Sequence, residues 1–112
     1  MVTQTTSLQT FADLIDRIAE RRSASPDESY TARLLKEGLS KCAKKFGEEA
    51  VELALAAVLR DQVHIRAEAA DTLYHYLVLL QACNLPVSEV LAELDDRMNQ
   101  SGLDEKASRK RP

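Results

Sequence analysis

KKFGEEAVELALAAVLRDQVHIRAEAADTLYHYLVLLQAC, residues 44–83, is the stretch that decides the fold. From Val51 to Leu59 its only polar residue is Glu52. From Leu73 to Cys83 it is apolar except for His75, Gln81 and two tyrosine hydroxyls. A helix that is apolar nearly all round is buried on most sides. Asp61-Gln62 reads as a tight turn between two such helices, one over Leu39 to Leu59 or Arg60 and one over Val63 to Cys83. Asn84-Leu85-Pro86 ends the second. Gly47 inside the first costs ~1 kcal/mol in propensity and suggests a close backbone approach there.

Outward from this hairpin the pattern stays helical. Leu8, Phe11, Leu14, Ile15 and Ile18 share a face at helical spacing, so a first helix is expected from a Ser7 cap to Arg22. Ser25-Pro26-Asp27-Glu28 carries helix-start chemistry. A short second helix follows over Tyr30 to Glu37 and stops at Gly38. A fifth runs from a Ser88 cap to Met98. Strand formers never cluster in alternating runs, so the reading is an all-α domain of five helices over residues 1–100. Three short helices cannot cover two long apolar ones. A second copy of the chain is therefore expected to complete a four-helix bundle across a two-fold axis.

With 112 residues the chain is the length of one domain. The net charge of −3, from 18 acidic and 15 basic residues, argues against a general nucleic-acid binder. Cys42 and Cys83 are too few for a disulfide framework and read as buried, reduced thiols, which suits the cytosol. No signal peptide is visible, and the longest apolar run, Leu77 to Leu80, is too short to span a membrane. Residues 101–112 hold one Leu and many charges. By composition they form a mobile basic tail, whose Lys106, Arg109, Lys110 and Arg111 suggest a lid that orders over bound substrate.

The chemistry begins with a conflict. Glu48, Glu49 and Glu52 sit beside the most apolar part of the third helix, and Glu68 and Asp71 just before that of the fourth. Spacings of three and four put each set on one side of its helix. Antiparallel pairing then makes the sets face each other. At ~4 Å and an effective dielectric of ~20, each like-charged pair costs roughly 4 kcal/mol. A hard divalent cation such as Mg²⁺ relieves this and keeps coordination positions for water and phosphate. Lys41, Lys44 and Lys45, one to two turns earlier, are placed to hold terminal phosphates. The plain alternative is a solvated face with Lys44–Glu48 and Lys45–Glu49 ion pairs, in the weaker orientation. A di-iron bundle needs Glu-x-x-His pairs, and neither His64 nor His75 follows a Glu by three. His75 shares the side of Asp71, and a site role, orienting that acid or touching substrate, and a purely structural one, a buried imidazole donating to a carboxylate, are equally open. Tyr74 and Tyr76 read as packing residues. Without a Gly-rich loop or a triad-like setting, nucleophilic catalysis by a side chain is not expected.

Glu48-Glu49-x-x-Glu52, then fifteen residues, then Glu68-x-x-Asp71, resembles the signature of the all-α nucleotide pyrophosphohydrolases related to MazG. Ser29-Tyr30-Thr31, Lys41 through Glu52, Glu68-Ala69-Ala70-Asp71-x-x-Tyr74-His75 and Ser101 through Arg109 narrow the likeness. They resemble the phosphoribosyl-ATP pyrophosphohydrolase family over nearly the whole chain. That resemblance implies hydrolysis of phosphoribosyl-ATP to phosphoribosyl-AMP and pyrophosphate, the second step of histidine biosynthesis. It also implies Mg²⁺, a cytoplasmic homodimer, and Tyr30 and His75 at the substrate. By the same analogy Glu49, Glu52, Glu68 and Asp71 are the metal ligands, with Glu48 a further ligand or the base that activates water. Two other functions fit part of the pattern. A house-cleaning nucleoside triphosphate pyrophosphohydrolase would use the same acids. A non-catalytic dimerisation module would explain the apolar helices and leave the acids unexplained.

Overall fold

A computed structural model describes residues 4–100 of the chain. The expected tail, residues 101–112, lies outside them. Among the described residues there are five helices and no strand: α1 Gln4–Arg21, α2 Tyr30–Glu37, α3 Leu39–Leu59, α4 Gln62–Ala82 and α5 Val87–Met98.

The α3–α4 hairpin is the centre of the molecule. Arg60 closes α3 in the left-handed region, with φ 61°, and its N–H reaches the carbonyls of Ala56 and Ala57. Asp61 caps α4, its carboxylate accepting from the His64 N–H at 3.2 Å. The turn is thus Arg60-Asp61, and Gln62 already belongs to α4. The pairing is antiparallel. Phe46 meets Tyr76 with ring centroids 6.1 Å apart. Further along α3, Glu49 offers its carbonyl to the Thr72 hydroxyl at 3.0 Å.

Gly38 makes the sharp corner between α2 and α3 at φ 106°, a conformation closed to residues with a Cβ. Ile18, Leu34, Cys42, Leu77 and Val78 form the buried core where α1, α2, α3 and α4 meet. Arg22 ties α1 to the end of α4 by donating to the Gln81 carbonyl and the Asn84 side chain. No single helix is long and apolar enough to cross a membrane.

Several local expectations are corrected. Helix α1 begins at Gln4, so Ser7 lies inside it and not at its start. The cap of α2 is Ser29, whose hydroxyl accepts from the Ala32 N–H at 3.1 Å. Ser25 to Glu28 instead form a separate turn, closed by the Ser25 carbonyl accepting from the Glu28 and Ser29 N–H groups. The α5 cap position is Pro86, not Ser88, since proline's fixed φ suits a helix entry. Cys42 is buried, but Cys83 is exposed because it sits past the last turn of α4. A Cβ at Gly47 would meet nothing within 4 Å among the described residues, so no described part of the chain makes a close approach there. Gly47→Ala is accordingly expected to raise the unfolding free energy by about 0.5–1 kcal/mol in a denaturant titration. A loss instead would reveal a partner backbone against this position.

Helices α3 and α4 do not bury their apolar surface within one chain. Val51, Leu55, Val58 and Leu59 on α3 and Val63 and Leu73 on α4 are all exposed. Val51, Leu55, Val58 and Leu59 recur at helical spacing and form one stripe.

Candidate metal centre

Glu49 on α3 and Glu68 and Asp71 on α4 converge, each offering an oxygen within 4.8 Å of the others. The convergence follows from the hairpin. Thr72, the neighbour of Asp71, bonds both the Glu49 carbonyl across the pair and the Glu68 carbonyl one turn back, at 2.8 Å. This pins the register at the level of the acids.

The electrostatics match three acids in one place. The Glu49 carboxyl is held above the usual carboxylate range, by burial first and then by the charges of Glu52 and Asp71, with Lys45 opposing. Glu68 has one oxygen, Oε2, 3.2 Å from His64 Nε2. Its other oxygen, Oε1, is buried without a hydrogen-bond partner among the described residues. An orphaned carboxylate oxygen beside two further carboxylates is costly unless something positive occupies the space between them. The donor set is all oxygen and all acidic, which suits Mg²⁺ or another hard divalent cation.

Other expected site residues fall around this core. Glu52 is exposed outside the group of three, although its charge acts on Glu49. Glu48 is exposed one position before Glu49, and both are bridged by Lys45, at 3.7 Å and 3.8 Å. Lys45 thus takes two acids, where the spacing had paired it with Glu49 and left Glu48 to Lys44. Lys44 has no ion pair among the described residues, and Lys41 reaches back to Glu37 at 4.0 Å. Lys45, Gly47, Glu48, Glu49, Val51 and Glu52 line an open concavity of about 580 Å³. A second cleft of about 410 Å³ lies between α1, the end of α4 and the start of α5, lined by Ile15, Leu80 and Leu85 among others. It contains no ionisable side chain, so the acid chemistry lies elsewhere.

His75 is buried, with Nδ1 unpartnered. Its imidazole is held below the usual range by burial first and then by the Lys45 ammonium, with Asp71 opposing. Tyr30 stands edge-on to it at 6.3 Å and stacks on Tyr74 at 6.5 Å. Tyr74 packs on the core and shares a hydrogen bond with Thr31, as a packing residue should. A histidine whose folded pKa is depressed contributes stability that is present above its unfolded value, ~6.5, and lost as pH falls through the folded value. With chelator present, the melting temperature of wild type minus that of His75→Gln is expected to shrink between about pH 7 and pH 5. A difference that grows on acidification would mean that the imidazole is charged in the fold.

Two site residues escaped the sequence reading. His64 precedes Glu68 by four and Thr72 follows it by four, so helical spacing alone carried the signal.

Fold and site together define the class: an all-α protein with a cluster of converging carboxylates on a central helical hairpin. The family model described as Phosphoribosyl-ATP pyrophosphohydrolase matches residues 11–98. The chain is 55% identical over 103 residues to "Phosphoribosyl-ATP pyrophosphatase" of Methylobacterium nodulans, covering 92% of this chain and 96% of that protein. It is 50% identical over 101 residues to the protein of the same name from Agrobacterium fabrum, covering 90% and 94%. It is 54% identical over 101 residues to "Phosphoribosyl-ATP pyrophosphatase 1" of Bradyrhizobium diazoefficiens, covering 90% and 95%. The chain belongs to the phosphoribosyl-ATP pyrophosphohydrolase family.

Proposed function

We propose that this protein hydrolyses phosphoribosyl-ATP to phosphoribosyl-AMP and pyrophosphate, with Mg²⁺, as the second step of histidine biosynthesis in the cytoplasm. The observation that carries the reading is the convergence of Glu49, Glu68 and Asp71, together with a buried Glu68 Oε1 that has no hydrogen-bond partner among the described residues. Relatives matching nearly end to end, and named for this activity, support the substrate.

Glu49, Glu68 and Asp71 would hold the cation, with Glu52 joining from the edge. When bound, Mg²⁺ supplies positive charge to the phosphate oxygens whose negative charge grows as the anhydride breaks. Glu48, exposed beside the cluster, takes the proton of the attacking water. Lys44, without an ion pair among the described residues, and Lys41 neutralise the departing pyrophosphate. Lys45 holds Glu48 and Glu49 in position. Tyr30 and His75 form the wall against the nucleotide. The exposed apolar stripe of α3 and its neighbours on α4 pack against a second copy, giving a homodimer with a four-helix core.

The test is pyrophosphate release from phosphoribosyl-ATP compared with a panel of nucleoside triphosphates, with Mg²⁺ and with chelator. Phosphoribosyl-ATP should be the preferred substrate by orders of magnitude, and chelator should abolish turnover. Equal rates on free triphosphates would turn the assignment to a house-cleaning hydrolase. No release from any of them would leave a helical dimerisation module.

A further inference from the structure

Arg17 and Arg21 stand four residues apart on α1, so their side chains leave the same side of the helix. Among the described residues neither side chain makes an ion pair or a hydrogen bond, whereas the adjacent Arg22 is committed to Gln81 and Asn84. The two arginines open onto a concavity of about 460 Å³ that Ser25, Ser29, Tyr30 and Thr31 also line. The backbone N–H groups of Tyr30 and Thr31, at the start of α2, find no acceptor among the described residues. Glu28 is the one acid on the wall and has no ion pair among the described residues, so the lining described carries a net positive charge. Guanidinium forks, free N–H groups and hydroxyls are the donors that bind a phosphate.

The pocket is joined to the carboxylate centre through Tyr30. Its ring, on the pocket wall, meets His75, which is buried with a partnerless nitrogen and lies one helical turn from Asp71. A ligand reaching from the metal centre past Tyr30 and His75 would therefore end at Arg17 and Arg21. A free nucleoside triphosphate carries phosphate at one end only. A phosphoribosyl nucleotide carries a phosphomonoester at the other end as well.

We infer that the pocket between α1 and the start of α2 is a second phosphate subsite, in which Arg17 and Arg21 bind the phosphomonoester of the phosphoribosyl group. The subsite selects this substrate over triphosphates that lack the second phosphate. The inference rests on the reaction proposed above.

The test compares wild type with Arg17→Gln/Arg21→Gln, both as the full chain with Mg²⁺. KM for phosphoribosyl-ATP should rise about 10- to 100-fold, with kcat changed by less than about threefold, because charged hydrogen bonds distant from the reacting phosphorus are lost. Ribose 5-phosphate should compete with substrate in wild type and cease to do so in the variant, while inhibition by pyrophosphate stays unchanged. Far-UV circular dichroism should show no loss of helix, and Arg17→Lys/Arg21→Lys should recover part of the lost affinity.

Calorimetric titration with ribose 5-phosphate and with inorganic phosphate reads the subsite without turnover. If wild type binds ribose 5-phosphate through these arginines yet does not cleave phosphoribosyl-ATP, the reaction is wrong and the phosphate subsite stands. Unchanged KM with unchanged ribose 5-phosphate binding in the glutamine variant overturns the subsite. Inorganic phosphate binding as tightly as ribose 5-phosphate would reduce it to a general anion site and overturn its role in selectivity.

Discussion

Glu49→Gln and Asp71→Asn are each expected to lower kcat by about a thousandfold or more while leaving the helices intact, because a cation centre of this kind supplies several kcal/mol of transition-state charge stabilisation. Both replacements keep the shape of the side chain and remove one charge. Their effect on stability should run the opposite way. A carboxyl whose folded pKa is raised contributes stability that is present below its unfolded value and lost as pH rises through the folded one. At pH 7–8 an ionised Glu49 therefore opposes folding, through burial and through Glu52 and Asp71. In chelator, Glu49→Gln should melt at or above the temperature of wild type. Adding Mg²⁺ should then separate them. Wild type is expected to gain about 2.7 kcal/mol when the cation reaches 100 times its Kd, and the variant little. The checks are steady-state kinetics and thermal melts with and without Mg²⁺. Full turnover by both variants would remove the carboxylate centre from the mechanism.

Leu55→Glu and Val58→Glu are expected to dissociate the proposed homodimer, with an affinity loss of about a thousandfold or more. Leu55 is 60% exposed and Val58 77% exposed in the single chain. They lie at the middle of the α3 stripe with Val51 and Leu59. Burying a side chain of this size stabilises by about 1.5–3 kcal/mol, and placing an unpaired carboxylate in the same interface costs several more. Sedimentation velocity should show wild type at twice the chain mass and the variants at one. The variants should also unfold at lower temperature, since α3 and α4 then keep their apolar faces in water. A wild-type protein that sediments as a monomer would require another cover for this stripe.

Much of the fold could be read from the chain because its signals are local. Apolar residues at spacings of three and four, a glycine at the α2–α3 corner and an aspartate before α4 each act within a turn or two of helix. Helices α2 and α3 are legible end to end, and the other boundaries within a few residues. The misreadings are instructive for the same reason. Ser25-Pro26-Asp27-Glu28 has the composition of a helix start, but Ser29 competes for the same role four residues later and caps α2. Ser88 follows Pro86, and the proline's fixed φ sets the entry to α5 first. Cys83 looked buried because the apolar run reaches it, whereas α4 ends one residue earlier.

By itself the sequence determined that there are five helices, that α3 and α4 pair antiparallel, and that two acidic sets come to one level of that pair. Which acids meet was decided by tertiary structure. Each residue turns an α-helix by about 100°, so a shift of one position in the hairpin register swings a side chain to another face. The Arg60-Asp61 turn and the Thr72 bonds fix a register that brings Glu49, and leaves Glu52 outside, against Glu68 and Asp71. The pocket of Arg17 and Arg21 also exists only in three dimensions. Its walls come from α1 and from the start of α2, separated by a loop whose path no periodicity encodes.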